Sequence, residues 1–307
     1  MIALLLIRQI IKLFLMMLMG FTLVKARLIK AEDSKSLSLV TLYIITPCVI
    51  LEAFQVDYTS ETGRGLILAF TAAVLLHIML LTVGYVLEKL FKLDPVEKAS
   101  AIYSNAGNLI IPIVTGVLGK EWVLYCCAFI SVQLILLWTH GRMLLSSEKK
   151  IDVRKIITNI NMIAIGIGII LFLTGLRLPA LVNEAFSSVG GTVGPVSMIV
   201  SGMLIGGLKK KQILAFRRLW LPVFLRMLFF PILALLILKY SGLKNMADNG
   251  TIILLITFLA TTSPAAASVT QMAQIFGRDA EYASVINVVT TLICIITMPI
   301  MVYFYQL

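Results

Sequence analysis

Ten stretches of this chain are each long and apolar enough to cross a bilayer. They run approximately over 3–24, 36–55, 65–88, 97–119, 121–144, 156–175, 188–208, 214–239, 250–277 and 281–305. A crossing helix needs about 20 such residues. In lipid every backbone polar group must be satisfied inside its own segment, so repeated runs of this length restrict the fold to helices. The composition agrees: 60% of the 307 residues are hydrophobic and 13% are charged, beyond what a soluble core of this size uses. The predicted class is an all-α integral membrane protein with short loops. The first run, Ile2 to Val24, exceeds a signal-peptide core and lacks a small-residue cleavage site, so it reads as the first membrane helix.

The net charge of +11 is explained by loop position rather than by nucleic acid, which is not an expected partner. Of 26 Lys and Arg, 18 fall in the loops 1–2, 3–4, 5–6, 7–8 and 9–10, five fall in the opposite set, and Arg8, Lys12 and Arg226 lie within spans. The positive-inside rule then places both termini on the non-cytoplasmic side of the plasma (inner) membrane. Trp122, Trp220, Tyr303 and Tyr305 fall near span ends, as an interfacial aromatic belt does. Cys48, Cys126, Cys127 and Cys294 all lie in apolar segments and form no disulfide framework or metal pair. No cofactor and no metal is expected.

Ten spans divide into 1–145 and 146–307, five apiece, and an odd number per half makes the second half enter the membrane inverted. Local spacing supports such a repeat. Asn105 precedes Gly119 by 14 residues and Ser263 precedes Gly277 by the same 14, with Gly119-Lys120-Glu121 matched in character by Gly277-Arg278-Asp279. The predicted architecture is ten transmembrane helices in two inverted five-helix repeats.

Spans 4 and 9 are interrupted in corresponding places. Span 4 carries Ser104-Asn105-Ala106-Gly107-Asn108-Leu109-Ile110-Ile111-Pro112, and span 9 carries Thr261-Thr262-Ser263-Pro264-Ala265-Ala266-Ala267. Paired interruptions of this kind point to the substrate site of a secondary transporter. Ser263-Pro264 reads as a helix start, a hydroxyl cap followed by proline at the first helical position. Its free N–H groups and positive dipole end suit an anion; an ordinary proline kink is the alternative. Gly107 permits unwound backbone, Pro112 disfavours helix before it, and Asn105 and Asn108 can donate to a carboxylate. The other reading of the two asparagines is a packed pair bonding neighbouring helices.

These residues carry a family resemblance. Asn105-Ala106-Gly107-Asn108-Leu109-Ile110-Ile111-Pro112 resembles the span-4 motif of the auxin efflux carrier family, which includes plant auxin exporters and bacterial organic-anion permeases. Ser263-Pro264-Ala265-Ala266, then Gly277-Arg278-Asp279-Ala280-Glu281 and Met298-Pro299, resemble its final spans, and Gly20, Lys25, Arg27 and Pro47 its start. The similarity covers nearly the whole chain. It implies broken helices 4 and 9 that cross near the bilayer centre, a scaffold of helices 1, 2, 6 and 7, a transport domain of helices 3–5 and 8–10, and a homodimer. The family's asparagine falls on Asn105 and its prolines on Pro112 and Pro264. The short loop Gly141 to Lys155 departs from the plant members and points away from a phosphorylation-controlled loop.

The expected substrate-binding set is Asn105, Gly107, Asn108, Pro112, Thr262, Ser263, Pro264 and Ala265, joined by Arg226 and Gln133. Arg226 on span 8 either faces a cavity or snorkels toward the basic end. Gln133 on span 5 either faces the span-4 break or glues helices together. His77, deep in span 3, is the proton-coupling candidate or a hydrogen-bonded bundle residue. No acidic residue sits at mid-span, which favours an anion as the ligand over a carboxylate-based cation mechanism. The same absence, with no HExxH and only two histidines, argues against an intramembrane enzyme. The expectation is a non-enzymatic secondary transporter of a small organic anion (malate, malonate or an auxin-like acid) working by alternating access around the helix 4/9 crossover. A sodium-coupled bile-acid-type symporter is the runner-up.

Overall fold

The computed structural model describes residues 2–146, 154, 157–208 and 216–307. Much of the basic sequence in loops 5–6 and 7–8, including Lys149, Lys150, Lys155 and Lys209 to Lys211, lies outside these residues. Among the described residues the chain is helical, without a named strand. Seven helices are long and apolar enough to span a membrane: α1 (Ile2–Lys25, whose spanning part is Ile7–Lys25), α2 (Ala31–Ala53), α3 (Ser60–Phe91), α6 (Lys120–Ser146), α8 (Ala180–Gly207), α9 (Trp220–Tyr240) and α12 (Ala280–Gln306). Three shorter apolar helices are α5 (Ala106–Val117), α7 (Ile160–Thr174) and α10 (Gly250–Thr262). Two short helices, α4 (Pro95–Ile102) and α11 (Ala267–Ile275), complete the pairs α4–α5 and α10–α11, so each interrupted stretch is two half-helices.

The molecule is apolar on its outside. Ile67, Val74, Ile78 and Tyr85 form an exposed stripe along α3, Ile163, Ile167 and Ile170 along α7, and Leu292, Ile296, Ile300 and Tyr303 along α12. The buried interior holds Gln133, Arg226, Thr257, Thr261, Ser263, Asn287 and Thr290. Grease outside and polar groups inside is the arrangement of a multi-pass membrane protein, where lipid rather than water covers the surface.

Two packing patterns organise the bundle. In the first, α1 lies against the second half of α8 at backbone contact. A Cβ on Gly202 would stand 1.8 Å from the Met17 carbonyl oxygen, and one on Gly20 would stand 2.1 Å from that of Ile199. Gly202 and Gly206 form a small-xxx-small face that permits this approach. Helix α2 packs on α7, with Phe54 filling the space over Gly168, and on the first half of α8. In the second pattern α3 packs on α6 and α10, α9 on α10, and α11 on α12.

Three helices carry a wide, π-type turn: Thr41–Ile45 in α2, Leu137–Gly141 in α6 and Leu225–Phe229 in α9. In α2 and α9 a proline follows closely, Pro47 and Pro231. A proline removes one helical donor and its ring crowds the carbonyl four residues back, so the preceding turn widens. In α2 the Thr41 carbonyl accepts both the Thr46 N–H, closing the wide turn, and Thr46 Oγ1 at 2.8 Å. In α9 the widened turn carries Arg226.

Helix α4 starts on a capping box. Asp94 Oδ1 accepts from the N–H groups of Val96 and Glu97 at 2.7 and 2.9 Å, and Pro95 occupies the first helical position. The basic residues near this end interlock. Lys98 pairs with Glu88 at 2.6 Å, Arg218 donates to the Phe91 carbonyl at 2.7 Å, and Arg278 to that of Leu145 at 2.8 Å. The opposite end carries Gln9, Lys12, Glu52, Lys120 and the C-terminal turn, where the Tyr305 hydroxyl donates to Thr251 O at 2.9 Å.

Candidate functional site

The two interrupted stretches meet. Tyr103 and Ser104, and Ser263 to Ala266, are extended rather than helical, and they pair antiparallel through Ser104 and Ala265, while Asn105 (φ −82°, ψ 43°) turns the chain into α5. Asn105 N donates to Pro264 O at 2.8 Å, and Ala266 N to Tyr103 O at 3.0 Å. Helices α4 and α10 therefore end, and α5 and α11 begin, at one point in the interior.

Ser104 and Ala265, at the centre of the pair, each have a backbone donor and acceptor facing away from it, and leaving them unmade in a buried site is costly. Gln133 of α6 serves Ser104. Its Oε1 accepts from Ser104 N at 2.9 Å and from Ser104 Oγ at 2.7 Å, while its Nε2 donates to Ser104 O at 2.8 Å. Helix α12 serves Ala265: Thr290 Oγ1 accepts from Ala265 N at 3.1 Å, and Asn287 Nδ2 donates to Ala265 O at 2.5 Å. Of the two readings of Gln133, the structure combines parts of both. It faces the break, and its amide is committed to the backbone there.

Several expected site residues lie elsewhere than the sequence indicated. Ser263 does not cap a new helix. It is the C-cap of α10, its hydroxyl donates to Leu259 O at 3.1 Å, and it is fully buried. Pro264 lies in the extended segment, where its ring holds the preceding residue extended (Ser263 ψ 156°), and pairing with Ser104 keeps the chain unwound until α11 starts at Ala267. Thr262 is buried as the last residue of α10, its hydroxyl on Leu259 O and its carbonyl accepting from Cys294 Sγ. Pro112 lies inside α5, not in the break, and its carbonyl accepts from Gln9 Nε2 of α1 at 3.0 Å. Gly107 is helical, in the first turn of α5. Its value is the missing side chain, since a Cβ there would meet nothing within 4 Å.

Arg226 neither lines a cavity nor snorkels. It is 0% exposed. Its Nε donates to Ser263 O at 2.8 Å, Nη2 to Thr261 O at 2.5 Å, and Nη1 to Ala101 O and Ile102 O at 3.2 and 3.1 Å. Those carbonyls terminate α4 and α10. The wide turn around Arg226 and the burial of α9 against α10 direct the side chain inward, away from the interface.

His77 is buried with its ring 4.6 Å from that of Phe129. Its Nδ1 lies 2.7 Å from the Ala73 carbonyl, which can only accept, so Nδ1 carries a proton and donates it. Nε2 has no partner among the described residues.

On the other side of the crossover stand the two helix starts. Neither has a side-chain cap. The N–H groups of Ala106, Gly107, Asn108, Ala267 and Ser268 have no partner among the described residues. Asn105, Gly107, Asn108, Ala267 and Ser268 are partly exposed, while the extended residues behind them are buried. Asn108 Nδ2 donates to Asn105 Oδ1 at 3.1 Å, leaving Asn105 Nδ2 uncommitted.

A cavity of about 690 Å³ approaches this place from the end that holds Lys120. Its walls include Gln9, Lys12, Glu52, Asn183 and Lys120, and along α5 it is lined by Thr115, Gly116, Ile111 and Pro112. These four share a helix face with Asn108, one turn deeper. A small, mainly apolar pocket between Leu109, Ile113, Met198, Thr291 and Cys294 lies beside the same helix. Lys120 bridges the cavity rim, 3.1 Å from Glu52 Oε1 of α2 and 2.8 Å from Ser187 Oγ of α8.

Sequence reasoning did not single out Ser104, Asn287, Thr290 or Ser268. A signal existed for two of them: Asn287 and Thr290 are polar and three residues apart, on one face of a mainly apolar span. No curated protein matches the chain as a relative. A family described as membrane transport protein, of the auxin efflux carrier type, matches residues 5–302. With nearly its whole length matched and its interrupted helices meeting inside an apolar-surfaced bundle, the chain belongs to that family of multi-pass membrane transporters.

Proposed function

We propose that this protein is a secondary transporter of a small organic anion, a carboxylate such as malate or malonate, working by alternating access at the crossover. The observation that carries the reading is the pair of uncapped helix starts beside Asn105, Gly107 and Asn108, with free N–H groups bordering open space. Helix N-termini bind anions through those donors and the positive end of the dipole. Asn105 Nδ2 adds a donor, and Gly107 leaves room for backbone approach.

The architecture we infer is ten spans in two inverted repeats, with α4–α5 and α10–α11 as the broken fourth and ninth. Its support is the matched treatment of Ser104 and Ala265, each held on both backbone groups by the following span. The scaffold is α1, α2, α7 and α8, locked by Gly20 and Gly202; the remaining helices move against it. Lys25, Lys92, Lys98, Arg142, Arg218 and Arg278 mark the cytoplasmic end of a plasma-membrane protein under the positive-inside rule. The termini and the mouth of the large cavity are then outside, and the conformation is outward-open.

The test is uptake of labelled malate and malonate into proteoliposomes by the purified protein and by Asn105→Ala. Saturable uptake by the wild type that the variant loses at equal melting temperature is the expected result. Equal uptake by both removes Asn105 from the site, and no uptake of either acid overturns this substrate class.

A further inference from the structure

All of Arg226's hydrogen bonds end on main-chain oxygens: Ser263 and Thr261 at the end of α10, Ala101 and Ile102 at the end of α4. No carboxylate among the described residues pairs with it. A full positive charge thus sits in the interior without an acidic partner, an arrangement that needs another source of negative potential. The two converging helix ends supply it. Each helix C-terminus carries unsatisfied carbonyls and about half a negative charge, so two ends match one guanidinium. In carriers built on broken helices, half-helix C-termini and unwound carbonyls are the groups that coordinate a coupling Na⁺ or H⁺. Here a planar side chain with several donors in a fixed geometry already occupies them.

We propose that Arg226 is a tethered counter-ion: it stands where a coupling cation would bind, so this crossover is charge-balanced without sodium. It is a positioning residue, holding the two half-helix ends together while the opposite, N-terminal faces remain open to the anion. The inference rests on the crossover geometry and not on which anion is carried, and its test reads cation binding without substrate.

The experiment is thermal melting of the purified full-length protein in choline chloride, in NaCl and in low-millimolar guanidinium chloride at matched ionic strength. The wild type is expected to melt at the same temperature in all three. Arg226→Ala is expected to melt several degrees lower in choline and to recover saturably with guanidinium or Na⁺. Arg226→Lys, which keeps a charge, is expected to fall between them and to ignore added cation. Saturable stabilisation of the wild type by Na⁺ overturns the proposal, and so does an Arg226→Ala protein that melts like the wild type or responds to neither cation. If Arg226→Ala cannot be purified as folded protein in any of the three media, Arg226→Met and Arg226→Lys decide. Purification of the lysine variant alone as folded protein sustains the counter-ion role. A methionine variant with wild-type melting, or failure of both, shows that packing or guanidinium shape holds the crossover and overturns it.

Discussion

Gln133 shows how much a single side chain can carry in a dry interior. Its amide completes both backbone groups of Ser104 and the Ser104 hydroxyl. Gln133→Ala orphans the buried N–H and C=O, at about 1–3 kcal/mol each, so a clear fall in melting temperature is expected. Gln133→Glu keeps acceptors for the N–H and hydroxyl and offers the Ser104 carbonyl a donor only when its carboxyl is protonated, so its melting temperature should lie between at acid pH and fall as pH rises. Gly107 tests space rather than bonding. A Cβ there meets nothing, so Gly107→Ala should fold normally, whereas Gly107→Leu should leave melting unchanged and abolish substrate-induced stabilisation. An equal thermal shift in the leucine variant would show that the substrate lies elsewhere.

Among the elements, the contact between α1 and α8 is the least forgiving. At Gly202 a Cβ would sit 1.8 Å from a carbonyl oxygen of the facing helix, and the backbones must part to admit it. Overpacking costs about 1–3 kcal/mol where side chains can shift; a backbone atom cannot shift so locally. Gly202→Val is expected to lose the folded peak in size-exclusion chromatography. Gly166 on α7 is the control, because a Cβ there meets nothing and Gly166→Ala should stabilise by up to about 1 kcal/mol through helix propensity. The existence of these helices was legible in apolar runs of about 20 residues. The interior bounds of the broken ones were not. Ser263-Pro264 reads locally as a helix start, yet pairing with a segment far away in sequence keeps it extended: the Asn105 N–H donates to the Pro264 carbonyl across 159 residues. Propensity acts on neighbours, and this hydrogen bond does not.

For the molecule as a whole, the cavity's location predicts sidedness. In a Cys48→Ser background, Thr115→Cys on the cavity wall should react with a membrane-impermeant thiol reagent applied from outside the cell, while Thr291→Cys, buried at the small apolar pocket, should not. Labelling of Thr115→Cys from the cytoplasmic side alone would reverse the assigned orientation. At the rim, Lys120 joins α2 and α8 across the opening. An exposed ion pair contributes at most about 1 kcal/mol, which suffices to bias two conformations of similar energy. Lys120→Ala should therefore leave stability within that margin and change the outside labelling rate of Thr115→Cys; an unchanged rate would exclude Lys120 from gating.

By itself the sequence determined that this chain lies in a membrane, that two of its spans are interrupted in matching places, and that it has the motifs of its family. Those properties are written in residue type: apolar runs, prolines, asparagines beside glycine. Tertiary structure decided what Arg226, Ser263 and Pro112 do. Their partners are main-chain carbonyls and N–H groups, which every residue carries alike, so no letter in the sequence announces which helix end an arginine will meet.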